Sequence, residues 1–278
     1  MKKFSLHIKN RLLQVDSPLV MGIINITPDS FAVSCRDMSE SEVLRVAESA
    51  LSEGATMLDL GGQSTRSGAE MVGTEEEWRR VHLAAAAIRS RFPDAILSVD
   101  TFRAEVARRA VEEDGVDIIN DISGGDMDPD MFDVVSCAHV PYICMHMRGT
   151  PATMQSLTHY DDLMAEVMDF FSRRVDRLHR MGVSDVILDP GFGFAKTVEQ
   201  NYYLLRHLDM LAPLGLPVLA GLSRKSMLYK VLGGGPGDML NATTAANMAA
   251  LMGGAAVLRV HDVRAAVEAV QIYNQLML

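Results

Sequence analysis

Eight short apolar or β-branched runs alternate along this chain with eight longer segments of helical period, and that rhythm limits the available folds more than any other feature. The strand-like runs are Leu19–Thr27, Met57–Gly61, Ile96–Thr101, Asp117–Ile122, Pro141–Met147, Val186–Asp189, Pro217–Leu222 and Ala256–His261. Between and after them, helical spacing covers Ser41–Ser52, Thr74–Arg91, Arg103–Glu113, Met131–Ala138, Tyr160–Met181, Val198–Leu211, Ala242–Met252 and Val263–Leu276. Strict alternation with short connections calls for a parallel sheet in which a helix follows each strand. Eight such units within 278 residues favour a closed (β/α)8 TIM barrel over an open doubly wound sheet. No G-x-G-x-x-G follows the first run and no G-x-x-x-x-G-K-[ST] occurs, so the dinucleotide-binding and P-loop alternatives lose ground. A short alternating pair, Phe4 to Ile8 and Leu12 to Val15 about Asn10-Arg11, reads as a β-hairpin ahead of the barrel. No linker divides residues 1–278, which are expected to form one domain. Thr74 with Glu77, and Thr197 with Gln200, have capping-box spacing at two helix starts.

Composition removes several functional classes. Lys and Arg number 26 against 36 Asp and Glu, a net charge of −10, which is the reverse of the basic footprint that nucleic acid or anionic lipid requires. An anionic ligand must therefore be held by a local cluster of cations. Three cysteines (Cys35, Cys137 and Cys144) without C-x-x-C spacing indicate neither a disulfide framework nor a thiolate zinc site, and suit a reducing, cytoplasmic compartment. The start carries Lys9 and Arg11 where a secretory signal would be apolar. The longest charge-free stretch, Met239 to Leu258, contains Asn241, Asn247 and Gly253-Gly254, and reads as helix, turn and strand rather than a membrane span.

In a barrel of this kind the working face lies at the carboxyl ends of the strands. Nearly every run closes there on polar residues: Asn25 to Ser30, Asp59 to Arg66, Asp100-Thr101, Asn120-Asp121, His146 with Arg148, Asp189 to Phe194, Ser223 to Ser226, and Arg259 to Asp262. Each has a bland reading as a turn, a solvated strand end or a carboxylate–arginine strut, but eight independent accidents at one rim are a poor explanation. Arg66, Arg259 and His261, with Lys225 nearby, suit a phosphate or diphosphate. Asn25 and nearby carboxylates can supply oxygens to a magnesium ion that keeps most of its waters and bridges to phosphate. Asp100, Asn120 and Asp189 supply acceptors and an amide fit for a flat heterocycle with amino and lactam N–H groups.

Taken in order, these blocks resemble the bacterial dihydropteroate synthase family from about Leu19 to the end of the chain. The resemblance implies a folate-pathway transferase that condenses 6-hydroxymethyl-7,8-dihydropterin diphosphate with 4-aminobenzoate to give 7,8-dihydropteroate and diphosphate. It implies that Asp100, Asn120, Asp189 and Lys225 hold the pterin, with Met145 and Phe194 lining its slot. Asn25, Arg66, Arg259 and His261 would hold diphosphate, Asn25 would meet Mg2+, and Thr65, Phe194 and Ser226 would place the aminobenzoate, whose carboxylate would lie near the Ser226 hydroxyl and the start of the helix that follows. Lys225, Arg259, His261 and Asp100 would carry the catalysis. Sulfonamide inhibition and a homodimer, with Tyr273, Leu276 and Leu278 apolar enough to serve it, belong to the same expectation. The loop Ala32 to Arg36 has Val33 where the family has a carboxylate, Gln63 stands for a commoner Glu, Ser67 for Pro, and Arg148 for Gln.

Two other functions fit part of the pattern. A methyltetrahydrofolate–corrinoid methyltransferase would use Asp100, Asn120 and Asp189 but has little use for Arg259 and His261 beside Ser223-Arg224-Lys225-Ser226. A non-catalytic pterin-binding barrel would tolerate the altered first loop.

Overall fold

The computed structural model describes residues 2–8, 11–26, 39–64 and 71–278. Thr65, Arg66, Ser67, Cys35 and the loop Ala32 to Arg36 lie outside the described residues. Among the described residues the strands are β1 Phe4–Ile8, β2 Arg11–Val15, β3 Leu19–Asn25, β4 Met57–Gly61, β5 Ile96–Asp100, β6 Ile118–Asp121, β7 Tyr142–Met145, β8 Val186–Asp189, β9 Leu219–Ala220 and β10 Val257–Val260. The α-helices are α1 Glu40–Ser52, α2 Thr74–Arg91, α3 Ala104–Asp114, α4 Met131–Ala138, α5 Leu163–Arg180, α6 Val198–Arg206, α7 Ser226–Leu232, α8 Leu240–Met252 and α9 Val263–Leu276.

Strands β3 to β10 form one parallel eight-stranded sheet in the order β8-β7-β6-β5-β4-β3-β10-β9. A parallel bridge between Leu188 and Val218, with the Leu188 N–H donating to the Pro217 carbonyl at 2.9 Å, joins β8 to β9 and closes the barrel. All eight strand expectations hold: Met57–Gly61 and Val186–Asp189 match at both ends, and the other six strands are one to several residues shorter than expected. The stretch Val198–Leu211 is divided into α6 and a 3₁₀ segment, Leu208–Leu214, and α7 is a helix that the eight periodic stretches did not include. Thr197 makes the expected capping box with Gln200. Thr74 does not cap α2: Gly73 is the N-cap, Thr74 is the first helical residue, and Glu77, wholly buried, is instead bound by Arg103.

Because side chains alternate across a strand, residues two apart share a face. One residue from each barrel strand, Met21, Met57, Ile96, Ile118, Ile143, Ile187, Leu219 and Val257, forms an apolar layer near the amino ends, and Leu6 and Ile8 of the hairpin pack into it from below. His7 ties the hairpin to the loop before β8, its N–H donating to Asp185 Oδ2 at 2.7 Å. Two residues further along the same inner faces come Asp59, Ser98, Asn120, Met145, Asp189 and Arg259. The interior thus changes from hydrocarbon at the plugged end to charge at the carboxyl end, which fixes where a ligand can enter. Ile8→Ala is expected to cost about 2–5 kcal/mol in urea unfolding, since the plug leaves a cavity that eight strands cannot close.

No helix among the described residues is long and apolar enough to cross a membrane. On α9, Leu276 is 62% exposed, but Tyr273 is 4% exposed and packs inward. Tyr273 therefore cannot serve a subunit interface as the sequence suggested, because the helical turn aims it at the core.

Candidate active site

At the carboxyl rim, Arg259 is the centre of a buried network. Its Nε donates to Asp59 Oδ2 at 2.6 Å and its Nη2 to Asp100 Oδ2 at 2.5 Å. Asn120 Nδ2 donates to the same Asp59 oxygen at 2.9 Å. Asp59 is fully buried, Asn120 and Asp100 nearly so. The other oxygens, Asp59 Oδ1 and Asp100 Oδ1, are buried with no hydrogen-bond partner among the described residues, and such acceptors call for donors from a ligand. Burial pushes the Asp100 carboxyl up, to about 7, with Arg259 pulling it back. Burial opposes the Arg259 charge, but Asp59 and Asp100 overcome that and hold the guanidinium more firmly protonated than usual.

The β8 end supplies the opposite wall. Asp189 Oδ1 accepts from the Gly191 N–H at 2.8 Å, which leaves Oδ2 on the side of Gly221. A Cβ on Gly221 would stand 4.0 Å from that Oδ2 and 3.8 Å from Lys225 Nζ, so the bare glycine leaves room for this pair to face each other. Burial raises the Asp189 carboxyl and lowers the Lys225 ammonium to about 8, each effect moderated by the other's charge. Lys225 Nζ donates to the Phe192 carbonyl and lies 4.9 Å from the centre of the Phe194 ring. Met145, buried, packs with Phe102, Ile122, Met147, Met154 and Ala195, against which Phe194 rests.

Above these, His261 is exposed, and its Nδ1 lies 3.0 Å from Ser223 Oγ. Arg224, at φ 57, is held by two hydrogen bonds to Asp262 (3.0 and 2.6 Å), which sets the direction of Lys225. Ser226 opens α7 and is half-buried. Asn25 Oδ1 projects over Gly61, 3.6 Å from where a Cβ there would sit.

The structure therefore brings Asp100, Asn120, Asp189, Lys225, Met145, Phe194, Asn25, Arg259, His261 and Ser226 to one end of the barrel, while Thr65 and Arg66 lie outside the described residues. The two-part division into an anion-gripping and a ring-reading half needs correction, because Arg259 is bonded directly to Asp59 and Asp100 and so belongs to both. Asp59 stands among the rim residues in the sequence without a ligand role of its own; its place two residues after Met57, on the same face of β4, is the signal that aims it inward. Gln63 fits where a glutamate is commoner: Nε2 donates to the Ser64 carbonyl and Oε1 accepts from the Val72 N–H, both at 2.8 Å, and a carboxylate could not donate. Arg148 turns away to Glu166 and the Tyr160 ring.

Residues 21–261 match the pterin binding enzyme family. The dihydropteroate synthase of Synechocystis sp. is 45% identical over 260 residues, which cover 92% of this chain and 89% of that one. A crystal structure of the Yersinia pestis dihydropteroate synthase in complex with a sulfonamide drug superposes with a TM-score of 0.92 at 38% identity, covering 99% of each chain. The Xanthomonas albilineans dihydropteroate synthase in complex with 7,8-dihydropteroate gives 0.87 at 37% identity, again over 99% of each chain. With matches of this extent and the rim geometry above, the chain belongs to the dihydropteroate synthase family of pterin-binding enzymes.

Proposed function

We propose that the charged layer around Arg259 is the reaction centre of this dihydropteroate synthase, the transferase that joins 6-hydroxymethyl-7,8-dihydropterin diphosphate to 4-aminobenzoate in folate synthesis. The observation that carries the reading is the shared Asp59 oxygen, which ties Arg259, the group assigned to the leaving anion, to Asn120, the group assigned to a ring edge. Asp100, Asn120 and Asp189 accept from the ring's amino and lactam N–H groups; Lys225, which only donates, takes a ring acceptor; Met145 and Phe194 cover the faces. When ionised, Asp59, Asp100 and Asp189 place carboxylates around the ring, and their negative charge favours the cation left on the dihydropterin methylene as the C–O bond breaks. Arg259 then exchanges part of its carboxylate bonding for diphosphate oxygens, joined by His261 and Arg66. The aminobenzoate, placed by Thr65, Phe194 and Ser226, attacks through its amine, and its position against the cation replaces the need for a strong base.

Asn25, whose Oδ1 lies over Gly61, would give magnesium one protein oxygen, and among the described residues no group of three His, Cys, Asp or Glu could hold a metal ion. That donor set suits an ion bound chiefly by diphosphate and water, where it would screen the charge gathering on the leaving group. Chelation is therefore expected to abolish turnover and added Mg2+ to restore it, with diphosphate release as the assay. The function as a whole is tested by incubating the protein with pterin diphosphate, 4-aminobenzoate and Mg2+ while following diphosphate and dihydropteroate together. Diphosphate and dihydropteroate in equal amounts support the synthase, while neither product would leave a non-catalytic barrel or a methyl transfer. One pterin-binding domain over residues 1–278, cytoplasmic location, competition by sulfonamides for the aminobenzoate subsite, and a homodimer using exposed Ile272, Leu276 and Leu278 complete the reading.

A further inference from the structure

The loop between β8 and α6 takes a conformation that its own backbone does not favour. Gly191 and Gly193 have φ of 71 and 82, and Ala195, with a Cβ to accommodate, has φ 49. A non-glycine residue in this left-handed region costs about 1 kcal/mol and persists only where its surroundings over-determine it. Lys196 supplies much of that determination. Although 4% exposed, its ammonium makes three hydrogen bonds, to the Gly191 carbonyl at 3.0 Å, the Phe194 carbonyl at 3.1 Å and His146 Nδ1 at 3.0 Å. Two of these acceptors span the loop and the third stands at the end of β7. While Lys196 is charged it only donates, so His146 then accepts at Nδ1 and carries its proton on Nε2. Burial first, then the charges of Lys196, Arg148 and Arg174, keep that imidazole neutral well below its ordinary titration range.

Phe192 and Phe194 lie inside the segment so fastened, and both meet Lys225, with Gly193 between them packed against the same side chain. We propose that Lys196 is a positioning residue for the synthase reaction: it latches the β8–α6 loop to the end of β7 and thereby sets the Phe194 ring and the Lys225 ammonium against the substrates. A charge is a costly way to fill this place. Burial lowers the Lys196 ammonium to about 7, with Asp189 resisting and Lys225 and Arg148 adding to the fall, so the folded chain gives up stability at neutral pH to keep three donors there. An unbranched apolar side chain would fill the same volume without that cost, but it would release both carbonyls.

The inference rests on the synthase reading, and one set of variants separates the two. Lys196→Met is expected to fold with an unfolding midpoint in urea equal to or above that of the unsubstituted protein, while KM for 4-aminobenzoate rises about tenfold and the affinity for a dihydropterin lacking diphosphate falls about fivefold, the scale of one or two lost hydrogen bonds. A residue that merely supports the scaffold would move stability and binding down together. His146→Leu, which removes the outer acceptor, should raise the same KM about threefold, and His146→Gln, which keeps an acceptor oxygen, should remain close to the unsubstituted value. A folded Lys196→Met protein with both constants unchanged overturns the proposal. If that variant does not fold, equal KM values for His146→Leu and His146→Gln overturn it instead. Absence of dihydropteroate from the unsubstituted protein would defeat the functional reading, whereas product formation with unaltered variants would defeat the latch alone.

Discussion

Arg259→Ala should lower kcat by about a thousandfold while weakening the binding of a dihydropterin without diphosphate by only about tenfold, a contrast that steady-state kinetics and calorimetry can read side by side. The larger effect follows from where the charge goes. As the C–O bond breaks, negative charge moves onto the leaving group, and a buried guanidinium with fork geometry strengthens its bonds as that happens; no neighbouring group among the described residues has both its charge and its place between the two subsites. The smaller effect follows from what Arg259 already holds. Without it, Asp59 and Asp100 lose their cation, so the ring-reading carboxylates drift and the Asp100 carboxyl, already lifted to about 7 by burial, rises further. Equal losses in the two measurements would remove the leaving-group role. The linkage has a definite sign: a carboxyl whose folded pKa exceeds its unfolded value binds more protons when folded, so the variant should lose stability as pH rises from about 4 toward and beyond 7. Its deficit against the unsubstituted protein should therefore be smaller at about pH 5 than at about pH 8. Arg259→Lys keeps the charge but not the fork, and can serve one carboxylate at a time; its kcat should fall between the two.

The barrel was legible because its signals are local and repeated. β-branched runs buried on both faces, separated by helices at close intervals, permit few other arrangements, and the strand runs gave positions accurate to a few residues. What periodicity could not reach was contact. Asp59 and Asp100 are 41 positions apart and Arg259 is far from both in sequence, so nothing local declares that one guanidinium bonds the pair; only the barrel, in which β10 pairs with β3 and the sheet runs on through β4 to β5, brings them together. Thr74 shows the same limit on a smaller scale. Its spacing to Glu77 satisfies the capping pattern, yet Arg103 from the next unit takes the carboxylate, and a tertiary ion pair prevails over a local hydrogen bond. Tyr273 looked like interface because apolar residues near a terminus have no visible partner in sequence, whereas the packed helix turns it inward. Lys196 was passed over for the converse reason: lysines are mostly solvated, and only the left-handed turns on either side of Gly193, invisible in composition, create the carbonyl cluster that draws its ammonium in.

Asp189→Ala should weaken the binding of the same dihydropterin fragment by at least about a hundredfold, close to abolition in calorimetry. The carboxylate has two duties that the alanine variant removes together: Oδ1 holds the Gly191 N–H, and Oδ2 lies over Gly221 beside the Lys225 ammonium. Asp189→Asn separates them. Its carbonyl oxygen can keep the Gly191 bond and the loop, but its NH2 then meets the ring's own N–H donors, so two donors are forced together where an acceptor was needed. Binding should fall as far as in the alanine variant, or further, with the unfolding midpoint close to that of the unsubstituted protein. The electrostatic consequence points the same way. Burial already lowers the Lys225 ammonium to about 8 against the pull of Asp189, so neutralising Asp189 should lower it more and leave Lys225 partly uncharged at neutral pH, deprived of the proton it offers to the ring. Residual affinity in the asparagine variant should accordingly improve as pH falls below about 7, because protonation restores the Lys225 donor. Retained affinity for the fragment in both variants would take Asp189 out of the pterin pocket and leave the carboxylate layer around Arg259 as the only ring-reading wall.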